Sequence, residues 1–248
     1  MSAHPSPALL LIDCQEGFKH PTHWGLARSN PAFEPNLARL LQHFREARLP
    51  VFHVAHHSVI PGSMLHPTEN PAGVAFIPEA QPREGERVFT KNVNSSFIGT
   101  NLEDAIREAG IRTLFVVGLE TDRCVSTTIR MGANLHVLRT GEGGQEEGTI
   151  WIVEDAVANF ERGKWDAETV HAVSVASLKG EFAEVARTED VIKWPIRAPE
   201  LNYATAYDSI DSRGPQSVRF ADIVTHAVST VRSTRVLSSM MEAEAPLA

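Results

Sequence analysis

Apolar positions along the chain fall into two kinds of cluster that alternate. Short continuous runs rich in β-branched and aromatic residues read as buried strands: ALLLID (residues 8–13), PVFHVA (50–55), RVFTK (87–91), RTLFVVG (112–118) and TIWIVEDA (149–156), with AEVART (183–188) as a short sixth. Between them lie segments with helical spacing. FEPNLARLLQHFREARL (33–49) places Leu37, Leu40, Leu41 and Phe44 on one face. TNLEDAIREAG (100–110) has Thr100 as a cap and Gly110 as a stop, CVSTTIRMGANL (124–135) follows the fourth strand, and DAETVHAVSVASLKGEF (166–182) opens on Asp166 as a cap. Strands that alternate with helices predict right-handed βαβ units. The expected fold is α/β, a three-layer α/β/α arrangement with a mostly parallel central sheet, Rossmann-like in outline.

Three stretches depart from this rhythm. Residues 56–87 are rich in Pro, Gly, His and Ser and read as a long loop. HVLRTGEGGQEEG (136–148) interrupts helix and strand with glycine and acid, and is expected to be an exposed loop. Beyond Trp194 the alternation ends. The division expected is therefore a domain of residues 1–194 and an extension of 195–248, partly helical or disordered, with one amphipathic segment near 218–231. No internal repeat is present.

Composition narrows the classes. With 248 residues, 42% hydrophobic, the chain can bury one substantial core. A formal net charge of -8 argues against general nucleic-acid binding, which needs a basic face. No apolar run reaches transmembrane length, and the first residues lack the basic leader and cleavage site of a signal peptide, so no membrane association and a cytoplasmic location are expected. Two cysteines, Cys14 and Cys124, make no disulfide framework and are expected to be free thiols.

Chemistry gathers at strand ends. In open α/β sheets ligands bind beyond the carboxyl ends of the strands, and there stand Asp13, Lys91 and, after a turn at Gly118, Cys124. Thr121 and Asp122 are N-cap types, which would put Cys124 in the first turn of a helix, where dipole and unpaired N–H groups favour the thiolate. Asp13 can take the thiol proton and Lys91 can compensate the negative charges. The backbone N–H groups of Glu120 and Cys124 can serve a developing oxyanion. Cys14 points to the opposite side of its strand from Asp13 and reads as packing. Gln15, Phe18, Trp24 and Phe97 read either as walls of a small-molecule pocket or as core. No Gly-x-Gly-x-x-Gly follows the first strand, so no dinucleotide is expected.

LLLIDCQEGF, TKNVNSSFIGTNLE and GLETDRCVSTTIRMGANL, in this order, resemble the isochorismatase-like cysteine hydrolases, and the similarity runs through most of residues 8–192. The resemblance implies a catalytic triad of Asp13, Lys91 and Cys124, a non-proline cis peptide near Leu119–Glu120, and a homodimer or homotetramer. Nicotinamidases of this superfamily bind a metal through an Asp-x-His pair after the second strand. Here the matching HVAHHSVIPG lacks that aspartate, so His56 and His57 are read as structural or substrate-contacting, with no metal and no cofactor expected. His171, among apolar neighbours, reads as a satisfied buried or interface histidine. The implied activity is hydrolysis of a C–N bond in a small amide, imide or ureido compound through a thioester. The alternatives are vinyl-ether hydrolysis of the isochorismatase type, whose enzymes lack the nucleophilic cysteine, and a non-catalytic interaction protein on the same fold.

Overall fold

Strand β1 (Ser6–Ile12) is apolar at every position from Ala8 to Ile12, and each of these residues is fully buried. A strand needs that pattern only when both faces of the sheet are covered. In the computed structural model, which describes residues 6–139 and 147–194, β1 lies at the centre of a six-stranded sheet of order β3-β2-β1-β4-β5-β6. The other strands are β2 (Val51–His56), β3 (Arg87–Lys91), β4 (Ile111–Leu119), β5 (Thr149–Ala158) and β6 (Glu184–Ala186). All five pairings are parallel, which makes the expected mostly parallel sheet wholly so among the described residues. Strand order reverses between β1 and β4, and that reversal opens a crevice at their carboxyl ends.

Helices α1 (Phe33–Glu46), α2 (Leu102–Glu108), α3 (Ser126–Asn134), α4 (Ala167–Ala176) and α5 (Thr188–Ile192) cover the two faces. The period-2 alternation of β1 sorts its residues between them. Ala8, Leu10 and Ile12 pack with Ile106 of α2, Ile129 of α3 and Val175 of α4. Leu9 and Leu11 pack with Leu37, Leu40 and Phe44 of α1 and Val191 of α5. Cys14 is fully buried on this second side, and burial raises its thiol pKa well above the ordinary value, as a packing role requires.

Local signals held at most ends. Asp166 caps α4, accepting from the Thr169 backbone N–H at 2.8 Å and from its hydroxyl at 2.7 Å. Thr100 does not occupy the cap of α2: that position is Asn101, and Thr100 accepts the Leu102 N–H at 3.3 Å from one residue earlier. The helix expected over 166–182 stops at Ala176, and Gly180 turns the chain with φ +85°. Helix α5, five residues long, is too short to show a period and went unpredicted. Residues 140–146 of the glycine-rich stretch, and the 195–248 extension with its 218–231 segment, lie outside the described residues. No described helix is long and apolar enough to cross a membrane.

Two features place the site. Gly118 pairs with Ile12, and a Cβ there would meet the Ile12 carbonyl oxygen at 2.0 Å, so only glycine lets β1 and β4 close up at their carboxyl ends. The long loop after β2 returns beside the end of β1, where Glu16 N–H bonds Ala75 O at 2.8 Å, Gly17 N–H bonds Gly73 O at 2.8 Å and Ile77 N–H bonds Cys14 O at 3.0 Å.

Candidate active site

Asp13 follows β1 directly and holds the left-handed conformation, φ 53°, which aspartate tolerates better than most residues. Its N–H bonds Val54 O at 2.8 Å, while its C=O accepts the Gln15 N–H at 2.9 Å, so both backbone groups fix the turn. Lys91 ends β3 and His56 ends β2, paired in register. Cys124 lies in a five-residue π-helical turn, Thr121–Val125, between β4 and α3 rather than in the first turn of an α-helix. The Leu119–Glu120 peptide before that turn is cis, where the resemblance placed it.

These side chains meet. Lys91 Nζ donates to Asp13 Oδ2 at 2.6 Å, to His56 Nδ1 at 3.1 Å and to Cys124 Sγ at 3.3 Å, which uses all three of its N–H donors. Asp13 and Lys91 side chains are both fully buried. Asp13 Oδ1 is buried too and has no hydrogen-bond partner among the described residues. Cys124, 8% exposed, sits with its sulfur within 4.8 Å of a carboxylate oxygen.

The electrostatics correct one expectation. Burial, and then the Asp13 carboxylate, raise the Cys124 pKa far above that of a free thiol, and Lys91 offsets this only in part. The resting group is therefore a thiol that needs a base, not a preformed thiolate. Burial disfavours the Lys91 ammonium, but the Asp13 carboxylate beside it, with the Cys124 sulfur adding to its effect, outweighs this and raises its pKa. Burial, and next the lysine, lower the pKa of His56. The Val93 backbone works weakly in the other direction, and Nδ1, facing an ammonium that can only donate, is the acceptor of that contact.

Donor atoms of Asp13, His56 and Cys124 lie within 4.8 Å of one another, a set that could in principle hold a metal. The set does not fit one here, because the Lys91 ammonium lies within 2.6, 3.1 and 3.3 Å of its members and is itself the cation among them.

A cavity of about 390 Å³ opens over Asp13 and Cys124. Phe18 and Trp24 line it, stacked with centroids 4.6 Å apart, and Trp24 Nε1 donates to Gly17 O at 2.8 Å. Ser58, Asn92 and Asn94 supply neutral polar groups, and Glu120 and Arg123 stand on the turn side. Gln15 and Phe97 are not in this wall. Gln15 is fully buried and staples two loops, donating to His56 O at 3.1 Å and Val74 O at 2.9 Å and accepting from the His56 N–H at 2.8 Å. Phe97 packs over Gly132 of α3, its ring 3.1 Å from where a Cβ would stand, at the edge of the core.

His57 lines a neighbouring cavity rather than this one. His171 is satisfied inside the fold, its ring nitrogens facing the Thr121 hydroxyl at 3.1 Å and the Asn30 amide at 3.5 Å. The contact of His56 with Lys91 went unforeseen, although both residues stand at the ends of adjacent strands. Asn92 and Asn94 were legible only as part of the motif that follows Lys91.

An isochorismatase domain model matches residues 7–190. The isochorismatase family protein YrdC of Bacillus subtilis is 36% identical over 190 residues, covering 75% of this chain and 94% of its own. A solved structure of the isochorismatase family from Chromobacterium violaceum superposes with a TM-score of 0.67 at 38% identity, over 77% of this chain and 94% of the other. A shorter match, 38% identical over 56 residues, links 23% of this chain to 25% of the ureidoacrylate amidohydrolase RutB of Agrobacterium fabrum. With the parallel sheet and the domain match spanning the same residues, the chain belongs to the isochorismatase family of hydrolases.

Proposed function

We propose that the protein is a cysteine amidohydrolase, cleaving a C–N bond of a small amide, imide or ureido compound through a thioester on Cys124. The observation that carries this reading is the buried Lys91 ammonium, which satisfies Asp13 Oδ2 at 2.6 Å and touches Cys124 Sγ at 3.3 Å while Asp13 Oδ1 stays open. A carboxylate with one filled and one empty oxygen, beside a protonated thiol, is a base with one acceptor to spend.

The thiol proton passes to Asp13 as Sγ attacks the substrate carbonyl carbon. Negative charge moves onto the carbonyl oxygen, where the backbone N–H groups of Glu120 and Cys124 receive it. Collapse breaks the C–N bond, and the proton on Asp13 goes to the departing nitrogen, released as ammonia or an amine. Water then attacks the thioester, giving a proton to Asp13, which returns it to the thiolate. Lys91 stays charged throughout and keeps two anionic groups compatible at close range. The cavity, about 390 Å³, lies in the range of small-molecule sites and suits a compact substrate between the Phe18–Trp24 wall and the reacting thiol. Similarity to an amidohydrolase of a ureido compound supports that substrate class.

The test is a panel read by ammonia release: nicotinamide, carbamoyl and ureido acids, and small imides, with isochorismate assayed beside them. The reading expects turnover of at least one C–N substrate and none by Cys124→Ala. Hydrolysis of isochorismate alone, by wild type and Cys124→Ala alike, would replace it with the vinyl-ether reading.

A further inference from the structure

Both acidic residues around the turn that carries Cys124 are held by one side chain from another loop. Arg162, in the loop after β5, donates from Nη2 to Glu120 Oε1 at 2.8 Å, from Nε to Asp122 Oδ2 at 3.0 Å and from Nη2 to Asp122 Oδ1 at 3.2 Å. Its Nη1 donates to Glu161 O at 3.1 Å, and Nη2 also approaches Asn159 Oδ1 at 3.4 Å, so the guanidinium is anchored in its own loop. The planar fork thus grips two carboxylates two residues apart, with bidentate geometry on Asp122.

Both carboxylates matter for position. Glu120 follows the cis peptide, carries one of the two N–H groups assigned to the oxyanion, and its side chain is 4% exposed at the cavity wall. Besides Arg162 it meets Arg123 at 3.4 Å, a half-exposed and longer contact. Without Arg162 a nearly buried carboxylate would lose its close counter-charge, and the Glu120–Cys124 turn would keep, of these outside ties, only that of His171 to the Thr121 hydroxyl at 3.1 Å. An unpaired carboxylate there would also oppose the negative charge that develops on the substrate oxygen.

We infer that Arg162 is a positioning residue of the reaction: by clamping Glu120 and Asp122 it holds the Glu120 and Cys124 N–H groups in the geometry that receives the oxyanion. This rests on the amidase reading above. Arg162 acts on the oxyanion side only, since it has no contact with Asp13, Lys91 or the sulfur. Its loss should therefore slow turnover without changing the nucleophile.

Four measurements on the full chain test this, using the best C–N substrate from the panel. Arg162→Ala should lower kcat about 10²-fold, the cost of roughly 1 Å of misplacement or of one lost oxyanion donor, with KM within about threefold. Iodoacetamide should alkylate Cys124 in this variant within about twofold of the wild-type rate, because Asp13 and Lys91 are untouched. Free guanidinium should restore part of kcat, whereas urea should not. Arg162→Lys keeps the charge but not the fork, and should melt as wild type with an intermediate kcat. If Arg162→Ala fails to fold, Arg162→Lys decides the matter: wild-type kcat would overturn the inference. So would Arg162→Ala with kcat within about threefold of wild type, or a loss confined to KM. Failure of the amidase reading looks different, since Cys124→Ala would then keep turnover and alkylation would not inactivate wild type.

Discussion

Strand β2 carries two histidines three residues apart, and each belongs to a cluster of histidine, carboxylate and cation. At His53 the partners are Glu86 and Arg45. At His56 they are Asp13 and Lys91. In the first cluster every carboxylate oxygen is occupied. Glu86 accepts from Arg45 Nε at 2.7 Å and Nη2 at 2.8 Å, from the Arg83 N–H at 2.9 Å, and bonds His53 Nε2 at 2.9 Å. Burial works against the Glu86 charge, but these donors, Arg45 first, overcome it and hold the pKa at about 2. In the second cluster the ammonium fills one oxygen of Asp13 and leaves the other open beside a thiol and a cavity. The same three kinds of group, imidazole, carboxylate and cation, make a fastener where the acid is saturated and the proposed reactive site where it is not. What differs is the number of donors, not the presence of charge.

Removing the nucleophile should give the largest effect. Cys124→Ala is expected to lose about 10⁴-fold or more in kcat with little change in melting temperature. Asp13→Asn should lose turnover to a similar degree and also lower the unfolding midpoint, since it leaves the Lys91 ammonium buried without its counter-charge. Turnover assays and thermal melts on both variants check this, and a Cys124→Ala protein with near wild-type turnover would break the comparison at its reactive end.

Glu86→Gln should behave in reverse. It is expected to cost about 2 kcal/mol in urea denaturation, because it removes the anion that Arg45 and His53 share, while kcat stays within about threefold. Wild-type stability, or a large loss of kcat, would show that the two clusters are not divided as described.

His56→Ala removes an acceptor of Lys91 while sparing acid and thiol, and should lower kcat about tenfold. In wild type His56 is neutral with its pKa lowered, so its protonation at acid pH would set a second cation 3.1 Å from Lys91. Activity is expected to hold below the ordinary histidine range of about 6.5 and to fall as pH drops through the lowered value. A pH–rate profile that falls already above about 6.5 would contradict this.

Stability should show the buried histidines and Glu86 in separate windows. Burial lowers the folded pKa of His53, His56 and His171, so between those values and about 6.5 the unfolded chain binds more protons. Their contribution is complete above about pH 6.5 and is lost as pH falls through the folded values. Glu86 adds a second loss, beginning near its unfolded value of about 4.3 and complete below its folded value of about 2. Urea titrations at stepped pH resolve the two. The smallest effect expected is from a strong chelator: with Lys91 among the donors, dialysis should leave the rate unchanged, and activity lost and then restored by zinc would overturn the exclusion of metal.

Strand alternation, the α1 face and the three motifs made most of the domain legible before any coordinates. Asp13 and Lys91 stood out because each is a charged residue at the end of a strand run, and Cys124 because it follows the Gly118 turn after another, where a parallel sheet collects its ligand site. Gln15 and Phe97 misled for one reason: residues beside a reactive group can turn toward the ligand or toward a neighbouring loop, and spacing along the chain is the same in both cases. The long loop of 57–86 decided Gln15, since the acceptors of its amide are carbonyls of His56 and Val74.

The alternation of strands and helices, the buried centre and the placing of Asp13, Lys91 and Cys124 at strand ends or the turn after one were legible in the sequence, because little else than a sheet covered on both faces buries the run of β1, whereas the order of the strands came only with the structure. The tertiary structure alone decided protonation and grip. Whether Cys124 rests as thiol or thiolate depends on burial and on the balance of Asp13 against Lys91. Whether His56 reaches the lysine depends on the register of β2 with β3. The hold of Arg162 on Glu120 and Asp122 joins residues some forty positions apart. Such contacts depend on distances through space of a few ångströms, and a one-dimensional pattern carries no term for them.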